Sequence, residues 1–188
     1  MQILRRMGRG RPGEEKRLSP LPPQQRRLTG VPEWGQKGPS LKPVETLMDT
    51  PAYDPNNIFA KILRKEIPCN FVWEDADTFV FMDIMPRSDG HALVIPKSPA
   101  RNILDAQPGL LVPLVQTVQR VAIAAKNAFN ADGMTISQFS EPAGGQVVFH
   151  LHVHVIPRFE GVALRPAGVM ADAALLEQHA AKLRTAMA

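Results

Sequence analysis

The chain has 188 residues, of which 44% are apolar and 21% are charged. It is therefore long enough to bury a hydrophobic core and too apolar to be a collagen or a wholly disordered protein. No uninterrupted apolar stretch approaches the roughly 18 residues that a membrane-spanning helix needs. These features predict a soluble protein that has no membrane partner.

The net charge of +4 comes from the N-terminal segment. Residues 1–50 hold ten Lys and Arg against five Asp and Glu, whereas residues 51–188 hold twelve against thirteen. The first segment also contains 7 of the 18 prolines and has no apolar periodicity, so we predict a disordered basic extension there. The composition changes near Met48, which favours a non-native or over-long start over a basic arm that touches phosphates. The folded domain is expected over residues 51–188, with no specific nucleic-acid partner.

Cys69 is the only cysteine in the chain. A single cysteine excludes an intramolecular disulfide and a metal site built from several cysteines. We therefore expect a cytoplasmic protein in which Cys69 is a half-buried structural thiol.

The folded part is predicted to begin with a short helix and a hairpin. Apolar residues recur at helical spacing after the helix-start cluster 54–57 and stop before Pro68, which predicts a helix from Ile58. Residues 71–73 and 78–82 are rich in β-forming residues. The acidic turn between them has the right length for an antiparallel hairpin.

A third strand and the longest helix follow. Residues 92–96 are an apolar run typical of a buried strand. Residues 105–130 carry apolar side chains at a period of 3.6, which predicts the long helix. Pro108 is expected at its start and Pro113 within its first turn.

The remaining pattern predicts two strands and a last helix. Residues 134–138 and 146–157 are the strands, separated by a glycine-containing loop over residues 140–145, and residues 171–187 are the helix. Five strands that often follow one another directly indicate an α+β protein with a five-stranded antiparallel sheet, one long helix and two shorter helices.

The most informative segment is a row of histidines that alternates with apolar residues. His150, His152 and His154 would share one face of a strand, with steps of about 6.6 Å between them, while the residues between them enter the core. Imidazoles this close do not stabilise a fold, because they repel one another when protonated near their ordinary pKa of about 6.5. The row therefore indicates a functional site.

Two chemistries could use this row. Two strand histidines and a third imidazole could bind zinc and leave a position open for water. Alternatively, a neutral imidazole nitrogen could attack phosphorus while its neighbours donate hydrogen bonds to the phosphoryl oxygens. Gly144 and Gly145 before the row favour the second chemistry, because paired glycines let backbone amides approach an oxyanion.

Several further segments complete a recognisable pattern. Residues 58–68, 73–75, 81–84 and 90–97, taken in order with the histidine row, closely resemble the histidine triad (HIT) superfamily. Within it, they are most similar to the branch of small nucleotide-binding phosphoramidases. The resemblance covers over half of the chain and implies a HIT-like fold that pairs as a homodimer.

The resemblance also implies catalytic roles. His152 would be the nucleophile that attacks the α-phosphorus of a nucleotide derivative and forms a nucleotidyl-histidine, which water later releases. His154 would contact the phosphate and serve the leaving group. His150 and His91 would orient the cluster, and Gln146 would donate its side-chain amide near the scissile bond.

The same resemblance implies a nucleotide site. Asp83 would accept hydrogen bonds from both ribose hydroxyls, and Gly145 would let the backbone approach the phosphate. The residues expected to wall the base, and equally able to belong to an ordinary core, are Ile58, Phe59, Ile62, Phe81 and Ile84.

The implied function is hydrolysis of nucleoside 5′-phosphoramidates or related phosphoanhydrides of purine nucleotides, with no cofactor and no metal. A dinucleoside polyphosphate hydrolase is one alternative, and a nucleotide-sensing or scaffold protein with vestigial turnover is another. Many relatives carry an asparagine in the loop before the paired glycines and a serine or threonine after the glutamine. This chain has no asparagine over residues 138–143 and has Val147 after Gln146, so its leaving-group contacts differ from that pattern.

Overall fold

A computed structural model describes residues 51–188, and the predictions made for residues 1–50 lie outside the described residues. The strands are β1 (Phe71–Glu74), β2 (Thr78–Met82), β3 (Ala92–Pro96), β4 (Gly133–Ser137) and β5 (Val153–Arg158). The helices are α1 (Ile58–Leu63), α2 (Pro108–Ala128) and α3 (Ala173–Met187), with a 3₁₀ turn at Pro142–Gly144. The strands form one antiparallel sheet in the order β1-β2-β3-β5-β4. The predicted fold class is confirmed.

Polar and proline residues set the helix starts. The Asn57 side chain accepts hydrogen bonds from the first free amides of α1, and the Asp172 side chain does the same for α3. Helix α2 begins at Pro108, whose missing amide hydrogen has no partner to lose at that position. Pro113 is the sixth residue of α2, so it lies in the second turn and not in the first turn as predicted, because the helix starts at Pro108 and one turn holds only about 3.6 residues.

The two faces of the sheet are covered differently. Helices α2 and α3 pack on one face, where their apolar residues join alternate side chains of β2 and β3, such as Val80 and Val94, in the larger core. Helix α1 packs on the other face, where Phe59 and Ile62 join Phe81 of β2 in a smaller core. This smaller core leaves the rest of its face open, and the histidines lie there.

Helix α2 carries apolar side chains on the side that faces the sheet and also on part of its exposed side. Within residues 51–188 it is the one helix long and apolar enough to cross a membrane, with a mean hydropathy of 1.2. Its Leu114 and Val121 are buried against the sheet, which is the behaviour of a core helix. Val112, Val115 and Ile123 are exposed on the other side.

The strand that was predicted over residues 146–157 is shorter than expected. It runs only over Val153–Arg158, so His154 is the single histidine of the row that lies within it. The pairing of β5 with β3 ends at Val153, opposite Val94, although β3 itself continues to Pro96, and the amide of Leu151 instead donates to the carbonyl of Ala100 at 2.8 Å. His150 and His152 therefore lie in an irregular segment before the strand, although histidine and apolar residues alternate there as they do within it.

Candidate active site

The site lies beside strands β3 and β5, on the face of the sheet on which α1 packs. His154 of β5 lies opposite Leu93 of β3, and His91 directly precedes β3. Asp83 directly follows β2, so the turn between β2 and β3 carries both of these residues. The ring centroids of His154 lie 5.1 Å from those of both His152 and His91. The fold thus brings together residues that are up to 71 positions apart in the chain.

A backbone carbonyl fixes the proton of His152. Its Nδ1 lies 2.6 Å from the carbonyl oxygen of His150. A carbonyl oxygen can only accept a hydrogen bond, so Nδ1 of His152 carries the proton. The neutral ring therefore has its lone pair on Nε2, which is the atom available to act as a nucleophile.

A second chain of hydrogen bonds fixes His91 and His154. The backbone amide of Arg87 donates to Nδ1 of His91 at 3.1 Å, so the proton of neutral His91 is on Nε2. That Nε2–H lies 3.0 Å from Nδ1 of His154 and donates to it. The proton of neutral His154 is consequently on its own Nε2, so His154 offers a hydrogen-bond donor where His152 offers a lone pair.

His150 is held from two sides. Its Nε2–H donates to the carbonyl of Pro96 at 2.9 Å, and its Nδ1 accepts from the hydroxyl of Tyr53 at 2.7 Å. Tyr53 lies 97 residues away in the sequence. No motif marks Tyr53, so its contact with the histidine row could not be predicted.

Burial keeps the histidines neutral. Desolvation lowers the pKa of His91 to about 3. It also lowers the pKa of His150 to about 4, although the hydrogen bond to Pro96 acts in the opposite direction. Desolvation, reinforced by the neighbouring imidazoles, lowers the pKa of His154 to about 4. Desolvation also lowers the pKa of His152. The four rings are therefore uncharged at neutral pH, as the hydrogen-bond pattern requires.

Asp83 faces the same cluster. Its Oδ1 accepts the amide of Met85 at 2.8 Å, while its Oδ2 lies 3.5 Å from Nε2 of His91 and 3.7 Å from Nδ1 of His154. The three side chains have potential metal-ligand atoms within 4.8 Å of one another. The hydrogen bond from the Arg87 amide, however, occupies Nδ1 of His91 and leaves the ring proton on Nε2. Nε2 is the atom that would have to bind the metal. The hydrogen bonds therefore oppose the zinc alternative at this group.

The predicted base-wall residues divide into buried and exposed members. Phe59, Ile62 and Phe81 are buried together, and the Phe59 ring packs edge-on against the His152 ring at 5.1 Å between centroids. Ile58 and Ile84 are 43% and 42% exposed, so they are free to contact a ligand.

An open cavity of about 310 Å³ lies beside the smaller core. Ile62 is the one predicted wall residue that lines it, and the other apolar lining residues include Ile67 and Phe79. Sequence reasoning did not select these two residues. The only signal in the sequence for Ile67 and Phe79 was that they are apolar and lie in the same short segments as the predicted wall residues.

Gln146 organises the loop that precedes the histidine row. Its Nε2 donates to the carbonyls of Arg101 and Val148 at 2.7 and 3.0 Å, and its Oε1 accepts the amide of Glu141 at 2.8 Å. Both amide hydrogens of the side chain are thus used inside the protein. In this conformation Gln146 holds the loop, and its expected donation to the scissile bond stays a prediction. Gly145 has a φ of 89°, a conformation that glycine adopts without strain.

A buried ion pair holds the start of this loop. Arg101 binds the Glu141 carboxylate through two hydrogen bonds of 3.0 and 2.9 Å, and Asn102 adds a third at 2.7 Å. The Glu141 backbone, at φ 62° and ψ 163°, occupies a region that is nearly restricted to glycine and costs about 1 to 3 kcal/mol. The ion pair offsets this strain. Sequence reasoning missed these three residues, because nothing in the local pattern pairs them.

Comparison with known proteins identifies the family. A family model described as the HIT domain matches residues 64–161, which is more than half of the chain. The chain belongs to the histidine triad family.

Relatives of this histidine triad protein come from several kingdoms. An uncharacterized HIT-like protein of Synechococcus elongatus is 42% identical over 104 residues, which cover 54% of this chain and 89% of the relative. The adenylylsulfatase HINT3 of Arabidopsis thaliana is 34% identical over 103 residues, which cover 55% of this chain and 52% of the relative.

Solved structures of the family agree with the fold. A Hit-like protein involved in cell-cycle regulation from Bartonella henselae has 52% identity and a TM-score of 0.70, covering 72% of this chain and 99% of that one. A hypothetical histidine triad nucleotide-binding protein of Sulfolobus tokodaii has 33% identity and a TM-score of 0.64, covering 69% and 90%. The family therefore includes nucleotide-binding proteins and at least one hydrolase.

The buried neutral histidines predict a pH-dependent stability. Because their pKa values are lower in the folded than in the unfolded chain, only the unfolded chain takes up protons just below pH 6.5. Stability is therefore fully present above that pH and falls as the pH decreases toward about 4. Each such histidine should cost about 1 to 2 kcal/mol of unfolding free energy between pH 6.5 and 5.

Urea unfolding at pH 7.5, 6.5 and 5.0 measures this loss, in a range where most carboxylates remain ionised. The variant His154→Asn lacks one of the titrating groups and should lose correspondingly less stability across the same range. Equal unfolding free energies at pH 7.5 and 5.0 would contradict the neutral cluster.

Proposed function

We propose that this protein hydrolyses nucleoside 5′-phosphoramidates and related mixed phosphoanhydrides through a nucleotidyl-histidine intermediate on His152. The observation that carries this proposal is the 2.6 Å hydrogen bond from Nδ1 of His152 to the carbonyl of His150. It leaves Nε2 as a lone pair on a neutral imidazole, and burial lowers the pKa of His152 so that the ring stays neutral.

The reaction has two displacements. In the first, Nε2 of His152 forms a bond to the α-phosphorus as the bond from phosphorus to the leaving group breaks. The leaving group departs with one proton taken up from water, and the Nε2–H of His154 donates a hydrogen bond to the leaving atom. In the second, a water oxygen attacks the same phosphorus, the P–N bond breaks so that Nε2 of His152 regains its lone pair, and the attacking water releases one proton to solvent.

The other site residues bind and orient the substrate in this proposal. Asp83 accepts hydrogen bonds from the ribose hydroxyls. A purine base packs against apolar residues, which are the buried Phe59, Ile62 and Phe81 and the more exposed Ile58 and Ile84. The loop that Gln146 holds brings Gly145 to the phosphate, where a backbone without a side chain allows close approach. His91 is a positioning residue, because it acts through the hydrogen bond that it donates to His154.

Two further observations support this reaction class. The hydrogen bond from Arg87 to His91 is compatible with hydrogen-bond donation by Nε2–H of His154 and opposes a metal at the same atoms. A relative at 34% identity is named an adenylylsulfatase, and adenylyl sulfate is a mixed phosphoanhydride.

We also propose that two copies of the chain form a cytoplasmic homodimer. Strand β4 is at the end of the sheet, so its outer edge can pair with β4 of a second copy. Val112, Val115 and Ile123 of α2 are 62%, 63% and 58% exposed. They lie at helical spacing on one side of α2, which is typical of a surface that a partner covers.

The first experiment measures hydrolysis of adenosine 5′-phosphoramidate by EDTA-treated protein. We expect full activity without metal and a loss of about a thousand-fold or more in His152→Asn, because the nucleophile is gone. Mass spectrometry of the wild type mixed briefly with substrate should detect an adenylylated protein.

The matched control is His179→Asn, which makes the same substitution at a buried histidine of α3, outside the site. It should retain activity. Turnover that survives in His152→Asn, or that disappears with EDTA in the wild type, would contradict the mechanism.

The dimer is tested by sedimentation equilibrium. The wild type should have twice the mass of one chain, and Val115→Asp should be monomeric because it puts a charge on the exposed apolar stripe. Asn127→Asp, which adds the same charge at an exposed polar position of α2, should remain dimeric. A monomeric wild type, or a dimeric Val115→Asp, would refute this interface.

A further inference from the structure

The side of the site that receives the leaving group is bordered by the loop over residues 138–147. In an in-line displacement the nucleophile and the leaving group lie on opposite sides of phosphorus. The leaving atom must also be near the hydrogen-bond donor of His154. The residues that contact the ring of His154 away from His91 and His152 therefore border the leaving group.

Phe139 occupies this border. Its ring packs edge-on against the His154 ring at 5.4 Å between centroids and is still 38% exposed. A Cβ atom on Gly145 would lie 3.7 Å from the Phe139 ring, so the ring extends from His154 to the loop before the histidine row. Val147, directly after Gln146, is 85% exposed.

Residues 138–147 carry no cationic side chain. The segment contains no Lys or Arg, and nearby Arg101 is paired with Glu141. The polar side chains of the loop already make hydrogen bonds inside the protein, through neighbouring side chains or backbone groups. These residues are Gln138, Ser140, Glu141 and Gln146. The group of this loop that contacts the His154 ring is therefore the aromatic ring of Phe139.

From this arrangement we infer that the protein selects substrates whose leaving group carries an aromatic or other apolar part, with Phe139 as the specificity-determining residue. The inference rests on the proposed function and names the class of its substrate. An apolar amine on a nucleoside 5′-phosphoramidate fits such a surface. A nucleoside polyphosphate leaving group does not, because its charges would need cations that residues 138–147 lack.

The experiment compares two substrates that differ only in the leaving amine, adenosine 5′-phosphoramidate and its N-benzyl derivative. Ammonia and benzylamine have nearly equal basicity, so a difference in kcat/KM reports contacts with the benzyl group. We expect the wild type to prefer the N-benzyl substrate by about 10-fold, which one partly buried aromatic contact can provide. Diadenosine tetraphosphate should be the poorest of the three substrates.

Variants assign the preference to residues. Phe139→Asn should remove the approximately 10-fold preference, and Phe139→Leu should keep part of it because it preserves an apolar contact. The control Val162→Ser, at an exposed valine outside the site, should keep the preference.

Three results would overturn the inference. The first is a ratio near one in the wild type. The second is an unchanged ratio in Phe139→Asn, and a simultaneous change in oligomeric state would then assign the ring to the interface between copies. The third is faster turnover of diadenosine tetraphosphate. If the wild type hydrolyses neither amidate, the proposed function itself fails and the inference falls with it.

Discussion

The proposed chemistry depends on one hydrogen bond, from Nδ1 of His152 to the backbone carbonyl of His150. A free imidazole exchanges its proton between two nitrogens, and only one tautomer leaves Nε2 able to attack. A backbone carbonyl cannot donate, so the bond selects that tautomer by geometry alone. Its counterpart runs from the amide of Arg87 through His91 to His154 and selects the opposite tautomer there. Adjacent rings thus present a lone pair and a donor.

The fold provides both conditions that this arrangement needs. Strands β3 and β5 run antiparallel, so His154 of β5 lies between His91, which precedes β3, and His152, which precedes β5, and its ring centroid is 5.1 Å from each of theirs. The aromatic packing of Phe59 against His152 desolvates the rings and keeps them neutral. Neutrality at neutral pH carries a cost in stability at acid pH, because the unfolded chain can bind protons that the folded site rejects. The same burial therefore provides the neutral nucleophile that the proposed reaction needs and limits the pH range of the fold.

The sequence predicted the elements well and the contacts of the site poorly. Helical spacing after residues 54–57 and the β-prone runs gave α1 and the hairpin, because these signals are local. Alternation made the predicted histidine strand too long, because it does not report backbone pairing, and the pairing with β3 ends at Val153 while the Leu151 amide bonds to Ala100 instead. The contacts of Tyr53 with His150 and of Arg101 with Glu141 join distant positions, so no local pattern contains them. The family resemblance implied a role for each site residue. The positions of the histidine ring protons follow only from hydrogen bonds in the folded structure.

The most direct test of the central claim is a measurement of the histidine tautomers by ¹⁵N NMR at neutral pH. Long-range correlations between ring nitrogens and ring protons distinguish a protonated Nδ1 from a protonated Nε2. The account predicts that His152 is neutral with its proton on Nδ1, and that His91, His150 and His154 are neutral with protons on Nε2. A His152 that carries its proton on Nε2, or that is charged at neutral pH, would contradict it.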